Sequence, residues 1–166
     1  MPQSYNPVPN PAPGVGGTVR LTELPLHGRQ LLWLMRMFIA ARLDYARVQG
    51  PIAAVAPSYS RAIPVLVCHM LLEVSRYSAR RLQVAGPCYG SITDDEMRFL
   101  AAADLAQMHD PRLPDLLGRL CGLVDGHPDL APVLAATRKL GDALMQEGLR
   151  VETCHLLPSG ELPAIH

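Results

Sequence analysis

Residues 61–100 read RAIPVLVCHMLLEVSRYSARRLQVAGPCYGSITDDEMRFL, and this stretch decides the fold. In its first half Val65, Leu66, Cys68, His69, Leu71, Leu72 and Val74 leave almost no polar face. A helix that is apolar nearly all round is enclosed by others, so this segment is the expected centre of a helical domain. Pro64 fits its first turn, where a missing N–H has no helical acceptor to lose. The second half ends on Thr93-Asp94-Asp95-Glu96, a capping box: Thr93 accepts from a first-turn N–H, Glu96 reaches back, and three acids face the positive helix end. Met97, Leu100, Ala101, Leu105 and Met108 continue as a buried stripe to about Gln107, so capping accounts for the acids without catalysis.

Between these helices lie Arg76, Arg80 and Arg81. Cations at a helix C-terminus oppose its partial negative charge, each contributing about 0.3–1 kcal/mol. Arg76 and Arg80, four apart, are expected to share a face, with Glu73 as a local partner for Arg76. Such a face suits an internal carboxylate or an anionic ligand. Arg81–Ala85, RLQVA, alternates like a short strand, as does LRVE at Leu149–Glu152, and the two are candidates for a two-stranded β-ribbon. Gly86-Pro87-Cys88-Tyr89-Gly90 is a turn between strand and helix.

Outward toward the N-terminus, Leu31, Leu32, Leu34, Met35, Phe38, Ile39 and Leu43 recur at spacings of three and four from Gly28 on. They predict one helix ending before Gly50-Pro51, with Arg29, Arg36, Arg42 and Arg47 at other angular positions. Trp33 falls off this stripe and is a candidate partner contact. Residues 1–19, with Pro2, Pro7, Pro9, Pro11 and Pro13 before Gly14, Gly16 and Gly17, read as a flexible proline-rich arm. Toward the C-terminus, one helix starts near Pro114 and ends at Asp125-Gly126; another starts around Pro128–Pro132 and stops at Gly148. The expectation is a mainly α bundle of about five helices over residues 20–152, with residues 153–166 a loosely docked tail.

Net charge is zero, but the halves differ. Residues 1–90 carry nine arginines against Glu23, Asp44 and Glu73, a balance of +6, and residues 91–166 carry −6. In one folded domain these charges compensate. The N-terminus lacks the order of a signal peptide and no apolar run is long enough for a membrane span, so the chain reads as cytoplasmic, with no membrane partner. Cys68, Cys88, Cys121 and Cys154 are scattered in a chain long enough to do without staples, and are expected reduced.

Little in the sequence points to chemistry. Cys68-His69 and Cys154-His155 are adjacent pairs whose members point about 100° apart on a helix, and neither has a CxxC or HxxxH companion. His109, His127 and His166 fall at loops or ends. Cys88, in a turn between Arg81 and a helix N-terminus, is the candidate reactive thiol. No nucleophile elbow surrounds Ser75, Ser78 or Ser91, and no catalytic residue, cofactor site or metal site is assigned.

Arg61 and Pro64 ahead of the leucine-rich helix, then Glu73-x-Ser75-Arg76-x-Ser78, Val84-Ala85, Pro87-Cys88 and Thr93-x-Asp95-Glu96, resemble an uncharacterised alphaproteobacterial domain-of-unknown-function family. The resemblance covers about a quarter of the chain and implies a small helical bacterial protein, with no catalytic or binding residue to carry over. The expected function is non-enzymatic protein interaction, by self-association or as an accessory or regulatory subunit. The alternatives are an anion or nucleic-acid surface built on Arg76, Arg80 and Arg81, or a thiol or metal sensor at Cys88.

Overall fold

The first helical stripe breaks earlier than its proline. In the computed structural model, which describes residues 19–124 and 126–162, α1 spans Leu26–Ala40 and α2 spans Tyr45–Val55. The break is made by Arg42 and Leu43, both at positive φ (56° and 61°), with Leu43 N–H returning to the Phe38 carbonyl at 2.7 Å. This is the closure a glycine usually provides, here made by two residues that read as helix formers. Asp44 then caps α2 by accepting from Ala46 N–H at 3.1 Å. Pro51 lies inside α2, a helix that buries only Val48 and Ile52. The single helix expected up to Gly50-Pro51 is therefore two.

Four more helices follow: α3 Ala62–Tyr77, α4 Asp94–Gln107, α5 Leu113–Cys121 and α6 Leu130–Gln146. The chain is mainly α, packed helix on helix. α6 lies against α3 and α4, α5 closes on α4 and α6, and α1 joins α3 to α4, leaving α2 outside. The capping box at Thr93 forms as its sequence dictates. α5 stops at Cys121, because Gly122 takes a left-handed φ of 68° and Leu123 N–H bonds back to Gly118; the expected stop at Gly126 is four residues late. Gly148 takes φ 71° just beyond α6.

The most enclosed helix is α4, not α3. Every α4 residue except Asp94 and Arg98 is buried, whereas α3 leaves Val65 and Leu72 about half exposed. Alanine makes this possible. Ala101, Ala102, Ala103 and Ala106 are all buried and let neighbouring helices approach closely. The closest approach is at Gly141 of α6, where a Cβ would stand 2.6 Å from Ala106 Cβ.

The two candidate strands do not pair, and the described residues contain one isolated bridge, Arg20 to Ser91, and no strand. Their backbone groups are satisfied by side chains of α4 instead. Gln83 N–H donates to Asp95 at 2.8 Å and Ala85 N–H to Glu96 at 3.0 Å. At the other end of α4, Gln107 accepts from Val151 N–H and donates to the Leu149 carbonyl, while Asp104 accepts from Thr153 and Cys154. Burial alternates along each segment as in a strand, but the hydrogen-bonding partner is a helix.

The tail expected to dock loosely is pinned as far as Leu162. Thr153 is buried, Cys154–Leu156 forms a 3-10 turn, and Arg119 donates to the carbonyls of Gly160 and Glu161 at 2.9 and 3.0 Å. Residues 1–18 of the proline-rich arm and 163–166 of the tail lie outside the described residues.

Glycine inside an exposed helix is about 1 kcal/mol worse than alanine, so Gly141→Ala would stabilise α6 if only propensity mattered. The Ala106 contact reverses the sign: a loss of about 1–3 kcal/mol is expected, read as a lower urea midpoint at unchanged slope.

Candidate functional site

Arg36 sits on α1 in register with Leu32, so it falls inside the buried stripe and not at the separate angular position expected from sequence. Its side chain is 1% exposed and that of Glu96 is fully buried. The guanidinium grips the carboxylate with two bonds, Nε to Oε1 at 2.8 Å and Nη2 to Oε2 at 3.0 Å. Its other donors reach the carbonyls of Tyr89 at 2.5 Å and Ser91 at 2.7 Å. Glu96 also accepts from Ala85 and Thr93 N–H. A buried charge survives only when paired and hydrogen-bonded, and both partners meet that condition. The pair clamps the 86–91 turn onto α1 and α4.

That clamp forms one wall of a groove. The groove runs between α1, the end of α2 and the turn, with about 280 Å³ of space lined chiefly by Leu21, Leu26, Arg29, Trp33, Val55 and Pro87. Gln30, Leu32 and Arg36 complete the lining. The α2 wall is tied on by Gln30, which donates to the Val55 carbonyl at 3.3 Å and stands 3.1 Å from His27 Nδ1. Tyr59 donates to the His27 carbonyl at 3.1 Å; burial, and then the Glu147 charge, push its phenol well above the usual range. Leu21 is set by its N–H bond to the Gly90 carbonyl at 3.0 Å.

A second ionic chain runs along the other side of α4. Asp95 lies between Arg80, at 2.5 Å, and Arg98, at 2.9 Å, and Arg98 continues to Glu161 at 2.9 Å. The Arg98 hydrogen bonds hold the Glu161 carboxyl below its ordinary value and push the Arg98 guanidinium up.

Of the candidates named from sequence, Arg80 is thus engaged internally, while Arg76 and Arg81 are exposed. Because α3 ends at Tyr77, Arg76 and Arg80 do not share a helical face. Glu73 stands 3.7 Å from His69, at spacing four, and makes no ion pair with Arg76. Trp33 is half-buried in the groove. Cys88 is exposed, one residue beyond the groove's Pro87. Burial pushes the Cys68, Cys121 and Cys154 thiols up, and Cys154 is raised further by Asp104. Among the described residues no three His, Cys, Asp or Glu gather to hold a metal. No helix of the described residues is long and apolar enough to cross a membrane.

No protein-family model, curated protein or solved structure matches this chain. Geometry alone singles out the groove. Sequence reasoning missed the Arg36–Glu96 pair, although the signal was available: Arg36 lies four residues after Leu32 and one after Met35, on the stripe itself.

Removing one partner of a buried pair leaves the other uncompensated, so Glu96→Gln is expected to cost about 3–5 kcal/mol in urea denaturation. Arg36→Met with Glu96→Leu should lose less than the sum of the two single changes. Glu161 is lowered in the fold, so the unfolded chain binds more protons in acid. Its contribution is complete above the ordinary glutamate value and disappears as pH falls through the lowered one. Glu161→Gln should therefore flatten the acid limb of the stability–pH curve by no more than about 1 kcal/mol, since the pair is partly exposed.

Proposed function

We propose that this chain is a cytoplasmic, non-enzymatic interaction protein, an accessory or regulatory subunit whose recognition surface is the groove at Trp33. One observation carries the proposal: the chain's single tryptophan stands half-buried in an open apolar trough whose lips, Leu26 and Val55, are 56% and 41% exposed. Tryptophan is enriched among the residues that dominate binding energy, and apolar lips left in water gain from being covered.

The lining also narrows the partner. It holds no acid, and the charge of Arg36 is already answered by Glu96, which leaves Arg29 as its one cation outside an ion pair among the described residues. At about 280 Å³ and open on one side, the trough is small and shallow for a drug-sized molecule, which usually takes about 300–1,000 Å³ of well-enclosed pocket. An indole beside a proline and aliphatic lips suits an extended, uncharged, proline-containing segment, whose preformed polyproline-II backbone loses little entropy on docking. The conspicuous ionic groups favour the same reading, since Arg36, Arg80, Asp95, Glu96 and Asp104 all hold backbone or one another. An anion surface keeps Arg76 and Arg81 but not Arg80, and a thiol sensor keeps Cys88 alone.

The test is a titration of uncharged proline-rich decapeptides against the full chain, up to millimolar concentration, followed by Trp33 emission. At least one peptide is expected to give a saturable blue shift. Leu26→Asp with Val55→Asp, both at exposed positions, should weaken it by about tenfold or more at a nearly unchanged thermal midpoint. If no peptide produces a saturable shift, the proposal fails.

A further inference from the structure

We propose that this chain pairs with a second copy of itself by exchanging α1, with α1 and α2 joined through Arg42-Leu43 into one continuous helix in the dimer. The inference goes beyond the groove at Trp33 and does not depend on what that groove binds. Among the described residues Arg42 and Leu43 are the only adjacent non-glycine pair at positive φ, 56° and 61°. A Cβ held there crowds the following carbonyl, so each residue is less favourable than in a right-handed helix. The sequence itself asks for no break. Leu32, Arg36, Ile39 and Leu43 recur at spacings of four, three and four, one face of a single helix, and no glycine or proline stands between Gly28 and Gly50. The turn is held by local closure alone: Leu43 N–H to Phe38, Arg42 N–H to Ile39 at 3.0 Å, and the Asp44 cap on α2.

The hairpin dictates what opening that turn must do. Gln30 donates to the Val55 carbonyl and Tyr59 to the His27 carbonyl, so the end of α2 and the approach to α3 lie beside the start of α1. α1 and α2 therefore run antiparallel. Joined as one helix, the 25 residues from Gln30 to Val55 rise about 37 Å and carry the chain past the far end of α1. Residues 56–61 span at most about 21 Å and cannot bring α3 back to its own α1. The vacated place on α3 and α4 is then filled by the α1 of a second copy, and two copies related by a two-fold axis complete each other.

Most of the energetics cancels. The Arg36–Glu96 pair, the Arg36 bonds to the Tyr89 and Ser91 carbonyls and the Arg20–Ser91 bridge form in both states, within one chain or between two. Each groove survives as well, taking Trp33 from one copy and Val55 and Pro87 from the other. What remains is the hinge, set against the entropy of joining two molecules. In the dimer two Arg42-Leu43 pairs relax and two Asp44 caps are lost. Ile39, Ala41, Leu43 and Tyr45, half-buried around the turn, come to lie where the two joined helices cross. Hinge chemistry and protein concentration thus decide the balance. Since α1 carries a buried ion pair, the two forms exchange through unfolding.

The test refolds the full chain from urea at low micromolar and at about millimolar concentration and measures mass by light scattering. A dimer is expected at the higher concentration and should persist on dilution into native buffer. Arg42→Gly with Leu43→Gly eases the turn and weakens the continuous helix, so it should lower the association constant by about a hundredfold or more. Asp44→Ala removes the cap that only the hairpin uses and should raise it about tenfold. Spin labels at Arg29→Cys and Ala54→Cys, both exposed, in a Cys88→Ser chain refolded with excess unlabelled protein, read the distance within one molecule. They should stand about 37 Å apart in the dimer and be neighbours across the hairpin in the monomer. The inference is overturned if neither the wild type nor Asp44→Ala yields a dimer, if the double-glycine variant dimerises equally well, or if the dimer keeps the short distance. Peptide binding at Trp33 is expected of monomer and dimer alike, so its loss would refute the recognition groove and leave the exchange standing.

Discussion

Polar side chains on a buried helix hold this structure together. α4 carries Asp95, Glu96, Asp104 and Gln107 into an interior that is otherwise mostly apolar. Each would be destabilising without partners, and each has them, chiefly backbone N–H groups of the two extended segments flanking the helix bundle. The helices bury their apolar stripes against one another in the ordinary way. What fixes the non-helical chain between and after them is this set of hooks, two at the start of α4 and two near its end. Arg36 extends the set to α1, and through α1 to the groove.

The arrangement gives the groove its shape. Its walls come from α1, from the end of α2 and from the 86–91 turn, and only α1 is itself a well-buried element. α2 is held by Gln30 and by apolar contacts of Val48 and Ile52; the turn is held by Arg36. A shallow trough with walls of this kind differs from an enclosed enzyme cleft, where charged groups converge on free space. Here they converge on the protein itself, and the open face is apolar.

Much of the fold was legible. The helix at 62–77, the capping box at Thr93 and the glycine stop at Gly148 follow from periodicity and local hydrogen bonding, which sequence expresses directly; the enclosed position expected of that helix belongs to α4. Three features did not. The break at Arg42-Leu43 uses left-handed backbone at non-glycine residues, so no turn signal marks it, whereas Pro51 gives a signal and stays inside a helix. α4 is central because its alanines permit close approach, yet its acids made it look half solvated. The alternating segments 81–85 and 149–152 were read as candidate strands and form none, Glu152 even taking a positive φ, because alternation reports burial and says nothing about who accepts the hydrogen bonds. For the site, Trp33 was visible as an off-stripe residue; its groove was not, because the groove exists only once Val55 and Pro87 are brought beside it from distant parts of the chain.

Tying extended chain to a helix by individual side chains has a consequence for association between molecules. A sheet edge repeats the same donors and acceptors every two residues, so a foreign strand can add to it in several alignments. The segments around Gln83 and Val151 have their inward N–H groups claimed at unique points by carboxylates and an amide of α4, and a slide by two residues would find no such acceptors waiting. Extended backbone is thereby kept inside a helical protein without offering a template for intermolecular β-addition.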